Sequence, residues 1–214
     1  MQIAAALTRD GYVQFDSSPH ASTVSVAQQI GTPENLSGFR LVQILTPKPS
    51  SDAAPNTYSG IYGTSAFPHH TDLAHWSIPP RFILLRCRQP SPAVQTTVLQ
   101  FHDVLEDESE STLAQAHFRQ RRKLAGRFSI LKLRQGAIHR WDESFLVPDN
   151  EAGAALFGRV RERLSRANPT RVPLHSPGTC LLIDNWRMLH GREPVPLTEA
   201  NRCLERIYLK AINV

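Results

Sequence analysis

The chain has 214 residues, 41% of them hydrophobic and 20% charged, with a formal net charge of +5. That length suits one domain with a sizeable core, and no apolar run approaches the ~20 residues needed to cross a bilayer, so a soluble, cytoplasmic protein is expected. The basic residues are dispersed, without the basic and aromatic interleaving of a nucleic-acid groove, which leaves neither a nucleic acid nor a membrane as an expected partner.

The opening MQIAAALTRDGY has no basic leader region, and its apolar run breaks at Thr8-Arg9-Asp10, unlike a signal peptide. It predicts a short helix, a turn at Gly11 and a strand over residues 12–15. ASTVSVAQQIGTP starts with Ser/Thr capping candidates and ends at Gly31-Thr32-Pro33, predicting a second short helix. Apolar runs predict strands over residues 39–45, 70–76, 81–87, 96–101, 127–133, 179–185 and 205–212. Helical signals occur over 111–123 and 150–167, and the polar segment at 47–56 reads as a loop. The basic run RQRRK at 119–123 follows the acidic EDESE at 106–110 and reads as the solvated face of the first of those helices. Cys87, Cys180 and Cys203 show no C-x-x-C spacing and read as reduced, mostly buried thiols, as suits the cytosol. Many short strands with Pro- and Gly-rich connections point to a mainly β architecture, a closed or double sheet with a few flanking helices, in a single domain over 1–214.

The stretch FPHHTDLAHW, residues 67–76, concentrates candidate metal ligands. Residues two apart on a strand share a face, so His70 and Asp72 would point one way and His69 and Thr71 the other. A third ligand is available in LLIDNWRMLHGR, where His190 follows an apolar strand. Two histidines and one carboxylate on one triangular face form the triad of non-haem Fe(II) oxygenases. His20, His75, His102, His117, His139 and His175 read as packed or hydrogen-bonded residues instead.

FPHHTDLAHWSIPPRFILLRC, the strand QTTVLQF, GTCLLIDNWRMLHGR and NRCLERIYL resemble, in that order, the taurine- and 2,4-D-type Fe(II)- and 2-oxoglutarate-dependent dioxygenases. DNWRMLHGR and RCLERIYL are also similar to clavaminate-synthase-like hydroxylases, although those usually carry Glu where Asp72 stands. The resemblance implies a double-stranded β-helix, or jelly roll, with Fe(II) held by His70, Asp72 and His190. It implies that Arg202 clamps the distal carboxylate of 2-oxoglutarate, assisted by Thr96, while Thr97 faces away. Ala93-Val94-Gln95-Thr96 replaces the family's familiar GGDT turn. Arg206 is either a contact to the substrate's anionic group or to the cosubstrate, or a surface charge paired with Glu205. The implied activity is hydroxylation of a small, carboxylate-bearing substrate by O2, giving succinate and CO2, with desaturation or ring formation as variants of the same chemistry. The chain is short for that family on both sides of the His-x-Asp pair, where insertions usually build the lid. Asp72 argues against a halogenase, and the lack of H-E-x-x-H argues against a zinc hydrolase. A jelly-roll binding protein with a vestigial metal site is the remaining rival.

Overall fold

Two runs, FILLRC at residues 82–87 and TCLLID at 179–184, are buried at every position, which a strand permits only when both faces of its sheet are covered. The computed structural model, which describes residues 3–213, shows what covers them. In chain order, α1 (Ile3–Asp10) leads to β1 (Tyr12–Asp16), α2 (Thr23–Ile30), β2 (Gly31–Pro33) and β3 (Gln43–Leu45). Next come α3 (Tyr58–Tyr62), β4 (Phe67–His70), β5 (Phe82–Gln89), β6 (Thr96–Gln100), α4 (Phe101–Leu105) and α5 (Glu110–Gln115). The short strands β7 (Phe118–Gln120), β8 (Arg134–Gln135), β9 (Ile138–His139) and β10 (Leu146–Pro148) precede α6 (Glu151–Arg166). They are followed by β11 (Thr170–Val172), β12 (Thr179–Asp184), β13 (Met188–Arg192) and β14 (Cys203–Ile212).

The major sheet has the order β1-β12-β5-β14-β2, with β3 also paired to β14, and the minor sheet has the order β11-β6-β13-β4. Strand alternation sorts the major sheet's side chains into two cores. Phe82, Leu84, Cys180, Leu182, Ile207 and Leu209 pack under α1 and α2, against Leu7, Val26 and Ile30. Ile83, Leu85, Leu181, Ile183, Leu204 and Tyr208 turn the other way and meet Val98, Val172 and Met188 of the minor sheet. A third core forms on the outside of the minor sheet, where Leu189, Phe101 and Trp141 meet Leu156 and Val160 of α6. The result is a mainly β sandwich with a few flanking helices, the jelly-roll class expected.

Several predicted elements need correction. The strand expected at 39–45 is formed only by Gln43–Leu45. The one expected at 70–76 occupies Phe67–His70, and residues 72–75 form a turn with Leu73 in the left-handed region at φ 55°. The strand expected at 127–133 is absent; only isolated bridges at Arg127 and Leu131 remain. The helix expected over 111–123 ends at Gln115, because Phe118 and Gln120 are buried with the period of a strand and pair with β10. RQRRK therefore leaves a strand and enters a loop rather than lying on a helix face. The run over 179–192 is two strands joined by a turn, so His190 lies within β13, not beyond the end of β12.

Candidate active site

β4 and β13 pair antiparallel with His70 directly opposite His190, which brings the two rings to a centroid separation of 4.4 Å. His70 Nδ1 lies 2.8 Å from the Pro68 carbonyl, so it carries the proton and leaves Nε2 as the free donor atom. His70 Nε2 and His190 Nε2 lie 3.5 and 3.6 Å from one atom, Asp72 Oδ1. All three side chains are buried, and one ligand atom from each lies within 4.8 Å of the others. Burial and the neighbouring His70 depress the pKa of His190, favouring its neutral form.

Asp72 reaches this position from a turn, not from the strand alternation expected of it. Asn185, in the turn between β12 and β13, accepts from the Asp72 backbone N–H at 2.7 Å and donates to the Asp72 carbonyl at 3.0 Å. Thr71 donates its backbone N–H to the Trp141 carbonyl at 2.8 Å. Arg140, fully buried, donates to the Ala74, Trp76 and Ser77 carbonyls and closes the turn from the other side. The Asp72 Oδ2 atom accepts from Arg206 Nη1 at 2.6 Å and from Tyr208 Oη at 3.0 Å. Burial works against the Asp72 carboxylate, but Arg206 and the two histidines outweigh it and hold its pKa well below the usual range.

His70, Asp72, His190, Arg206 and Tyr208 line a cavity of about 930 Å³ together with Thr96, Arg202, Arg192, Tyr58 and Asp142. Every sequence-predicted site residue, His70, Asp72, His190, Thr96, Arg202 and Arg206, therefore meets in one space. His69 and Thr97 do not join them; His69 Nε2 lies 3.1 Å from Thr97 Oγ1 on the opposite side of the sheet. Burial pulls the Arg202 guanidinium down to about 10, and the only offsetting groups are the Cys87 and Cys203 thiols, with no carboxylate among the described residues. Arg192 stands directly across from Thr96 in the sheet, is likewise lowered to about 10 by burial and by Arg202, and has a buried Nε without a partner. Arg206 has partners that the sequence did not foretell, Asp72 and Gln43, rather than Glu205.

Other contributors were invisible in the sequence. The Tyr58 ring stacks on His70 at a centroid distance of 4.0 Å and donates its hydroxyl to Asp142 Oδ2 at 2.6 Å. Burial raises the Asp142 carboxyl to about 6. Neither residue belongs to a local motif, and Asn185 acts on a turn far away in the chain. Only Tyr208 carried a signal, its spacing of two from Arg206 on a strand.

The donor set fits a metal ion. Separations of 3.5 and 3.6 Å between the imidazole nitrogens and Asp72 Oδ1 are longer than ordinary N–H···O hydrogen bonds of about 2.7–3.2 Å, so the three donors converge without satisfying one another. Two imidazoles and a carboxylate with open positions beside them suit Fe(II).

No protein-family model and no curated protein sequence matches this chain. Solved structures do. An asparagine oxygenase in complex with Fe(II), 3-hydroxyasparagine and succinate matches with a TM-score of 0.66 at 18% identity, over 96% of this chain and 77% of its own. PvcB from Pseudomonas aeruginosa matches with a TM-score of 0.68 at 19% identity, over 97% and 78%; PvcB is an Fe, α-ketoglutarate-dependent oxygenase from an isonitrile synthetic pathway. A taurine dioxygenase from Burkholderia xenovorans matches with a TM-score of 0.67 at 20% identity, over 100% and 80%. The chain has the double-stranded β-helix fold of these iron oxygenases, with a complete and buried His-Asp-His cluster set inside it.

Proposed function

We propose that residues 1–214 form one Fe(II)- and 2-oxoglutarate-dependent oxygenase domain that hydroxylates a C–H bond of a small, carboxylate-bearing molecule, an amino acid or a biosynthetic intermediate. The observation that carries this reading is a buried guanidinium, Arg202, with no carboxylate partner among the described residues, in the same cavity as the His-Asp-His cluster. A buried unpaired charge is costly, and an anionic ligand relieves that cost. In this reading His70, Asp72 and His190 hold the metal, and Arg202 with the Thr96 hydroxyl holds the far carboxylate of 2-oxoglutarate. Fe(II) held there would activate O2, the oxidant, whose two atoms would end in succinate and in the hydroxylated product as 2-oxoglutarate loses CO2.

The protein's own part is placement. The Pro68 carbonyl fixes the His70 tautomer, Asn185 fixes the Asp72 backbone, and the Tyr58 ring covers one face of His70. Arg206 lines the cavity with a buried, unpartnered Nε, which makes it the candidate anchor for an anionic group of the substrate. The hydroxylated amino acid and succinate in the asparagine oxygenase complex support an amino-acid-like substrate. No helix among the described residues is long and apolar enough to cross a membrane, and the three cysteines are unpaired, which supports a cytoplasmic location.

The test is an anaerobic titration of the Fe(II)-loaded protein with 2-oxoglutarate, followed by assays of succinate formation against a panel of amino acids and small carboxylic acids. A metal-to-ligand charge-transfer absorbance that saturates with 2-oxoglutarate, and succinate formation stimulated by a panel member, are the expected results. No absorbance and no succinate would return the fold to a binding role.

A further inference from the structure

The two carboxylate oxygens of Asp72 keep different company. Oδ1 faces His70 Nε2 and His190 Nε2 at 3.5 and 3.6 Å, whereas Oδ2 accepts from Arg206 Nη1 at 2.6 Å and Tyr208 Oη at 3.0 Å. Both donors come from β14 and, being two residues apart, share a face. Each donor is itself restrained. Arg206 Nη2 donates to Gln43 Oε1 at 2.6 Å, across the register in which Arg206 opposes Gln43, and Tyr208 is packed in the core between the sheets. Asn185 grips the Asp72 backbone at both its N–H and its carbonyl. With the backbone fixed, rotation of the carboxylate is the main freedom left, and Arg206 and Tyr208 oppose it.

The geometry points to Arg206 and Tyr208 as positioning residues that make Asp72 a one-oxygen metal ligand by holding Oδ2 back from the metal. This inference rests on the oxygenase reading above. A carboxylate binds metals through one oxygen or through both. On a six-coordinate ion, three protein donors leave three positions, enough for a two-donor cosubstrate and O2 together. If Oδ2 also bound, the cosubstrate and O2 would compete for what remained. The pair thus keeps a reaction position open by acting through Asp72, a role separate from the substrate contact proposed above for Arg206. The charge-assisted bond from Arg206 is the stronger restraint, and the Tyr208 hydroxyl sets the angle.

The experiment compares wild type with Tyr208→Phe, which removes one hydroxyl and no charge, and with Arg206→Lys and Arg206→Met. Circular dichroism and thermal melts establish that each variant folds. Anaerobic titrations then measure Fe(II) affinity and 2-oxoglutarate affinity separately, and crystals of the Mn(II)-loaded proteins show how many Asp72 oxygens reach the metal. Metal affinity is expected to stay close to wild type in every variant. The 2-oxoglutarate affinity of Arg206→Met should fall about tenfold or more, with Tyr208→Phe and Arg206→Lys moving less in the same direction. Two Asp72 oxygens should reach the metal in Arg206→Met, and one in wild type. Unchanged 2-oxoglutarate affinity in both Tyr208→Phe and Arg206→Met would overturn the inference and leave Arg206 to the substrate alone. Two bound oxygens in wild type, or loss of the metal itself in the variants, would overturn it as well. Absence of any Fe(II)-2-oxoglutarate absorbance in wild type would instead remove the oxygenase reading on which the inference stands.

Discussion

Two of the side chains at the cavity floor are held from behind, His70 by the Pro68 carbonyl and Asp72 by Asn185, and the consequences of single substitutions follow from the donor set they complete. His70→Ala, Asp72→Ala and His190→Ala should each abolish iron-dependent succinate formation while circular dichroism stays close to wild type, because a facial site lacking one donor holds Fe(II) poorly. His69→Ala should retain most activity, since its imidazole rests on Thr97; an equal loss there would mean that the sheet face, not ligation, governs the assay. Arg202→Ala should weaken 2-oxoglutarate binding by about 2 to 5 kcal/mol, and Arg202→Lys should recover only part, since an ammonium lacks the planar fork. Unchanged 2-oxoglutarate titrations would move that role to Arg192, which stands across from Thr96. Asp142 gives a prediction in pH. Its folded pKa of about 6 lies above the unfolded value of about 3.9, so its protonated form contributes stability below pH 4 that is lost as pH rises through 6. In metal-free protein, Asp142→Asn should therefore gain on wild type with rising pH, by up to about 3 kcal/mol between pH 4 and 8 in denaturant melts. A stability difference that stays flat across that range would show that the acid is already compensated when ionised.

At the scale of elements, the apolar strands were legible because their burial is continuous or alternating: β5, β6, β12 and β14 lie close to where FILLRC, TTVLQF, TCLLID and ERIYLKAI place them. The start of α2 was legible from its Ser/Thr cap, with Ser22 accepting from Ser25 N–H at 3.0 Å, whereas the cap of α6, Asn150 accepting from Gly153 N–H at 2.7 Å, came from the structure. The turn at Asp72 was not legible, because what bends it comes from distant segments: Asn185 on one side and the Arg140-Trp141 segment on the other. The His-x-Asp spacing thus pointed to two side chains that the structure brings together, by an alternation that holds only as far as His70. RQRRK misled for a related reason, since its charges hid a strand whose inward residues, Phe118 and Gln120, are buried by tertiary contacts. The junction of β13 and β4 also has a strict local demand. A Cβ on Gly191 would lie 2.9 Å from both the Phe67 carbonyl oxygen and Thr97 Oγ1. Gly191→Ala should push these strands apart, destabilising the protein by about 1 to 3 kcal/mol and lowering metal affinity through His190; a melt and a metal titration both at wild-type values would show that the sheet absorbs the methyl group.

For the whole molecule, the two sheets cooperate in unequal ways: the minor sheet supplies both histidines and Thr96, while β14 of the major sheet supplies Arg206 and Tyr208, with Arg202 just before it. Ligand occupancy should therefore be felt globally. At metal concentrations about 100-fold above its dissociation constant, binding should add about 2.7 kcal/mol of stability, or a rise in Tm of about 5 to 10 °C for a chain of this size. Scanning calorimetry should show that rise in wild type and not in His190→Ala; an equal rise in both would place the metal elsewhere. The direct pairing of His70 with His190 has a further consequence for assembly. A slip of one residue between β4 and β13 would set Leu189 or Gly191 opposite His70 and turn the second imidazole to the far side of the sheet. Metal uptake would then discriminate between registers: a chain that has zipped these two edges out of step would have no complete set of donors to offer, and only the correctly threaded one could bind the ion.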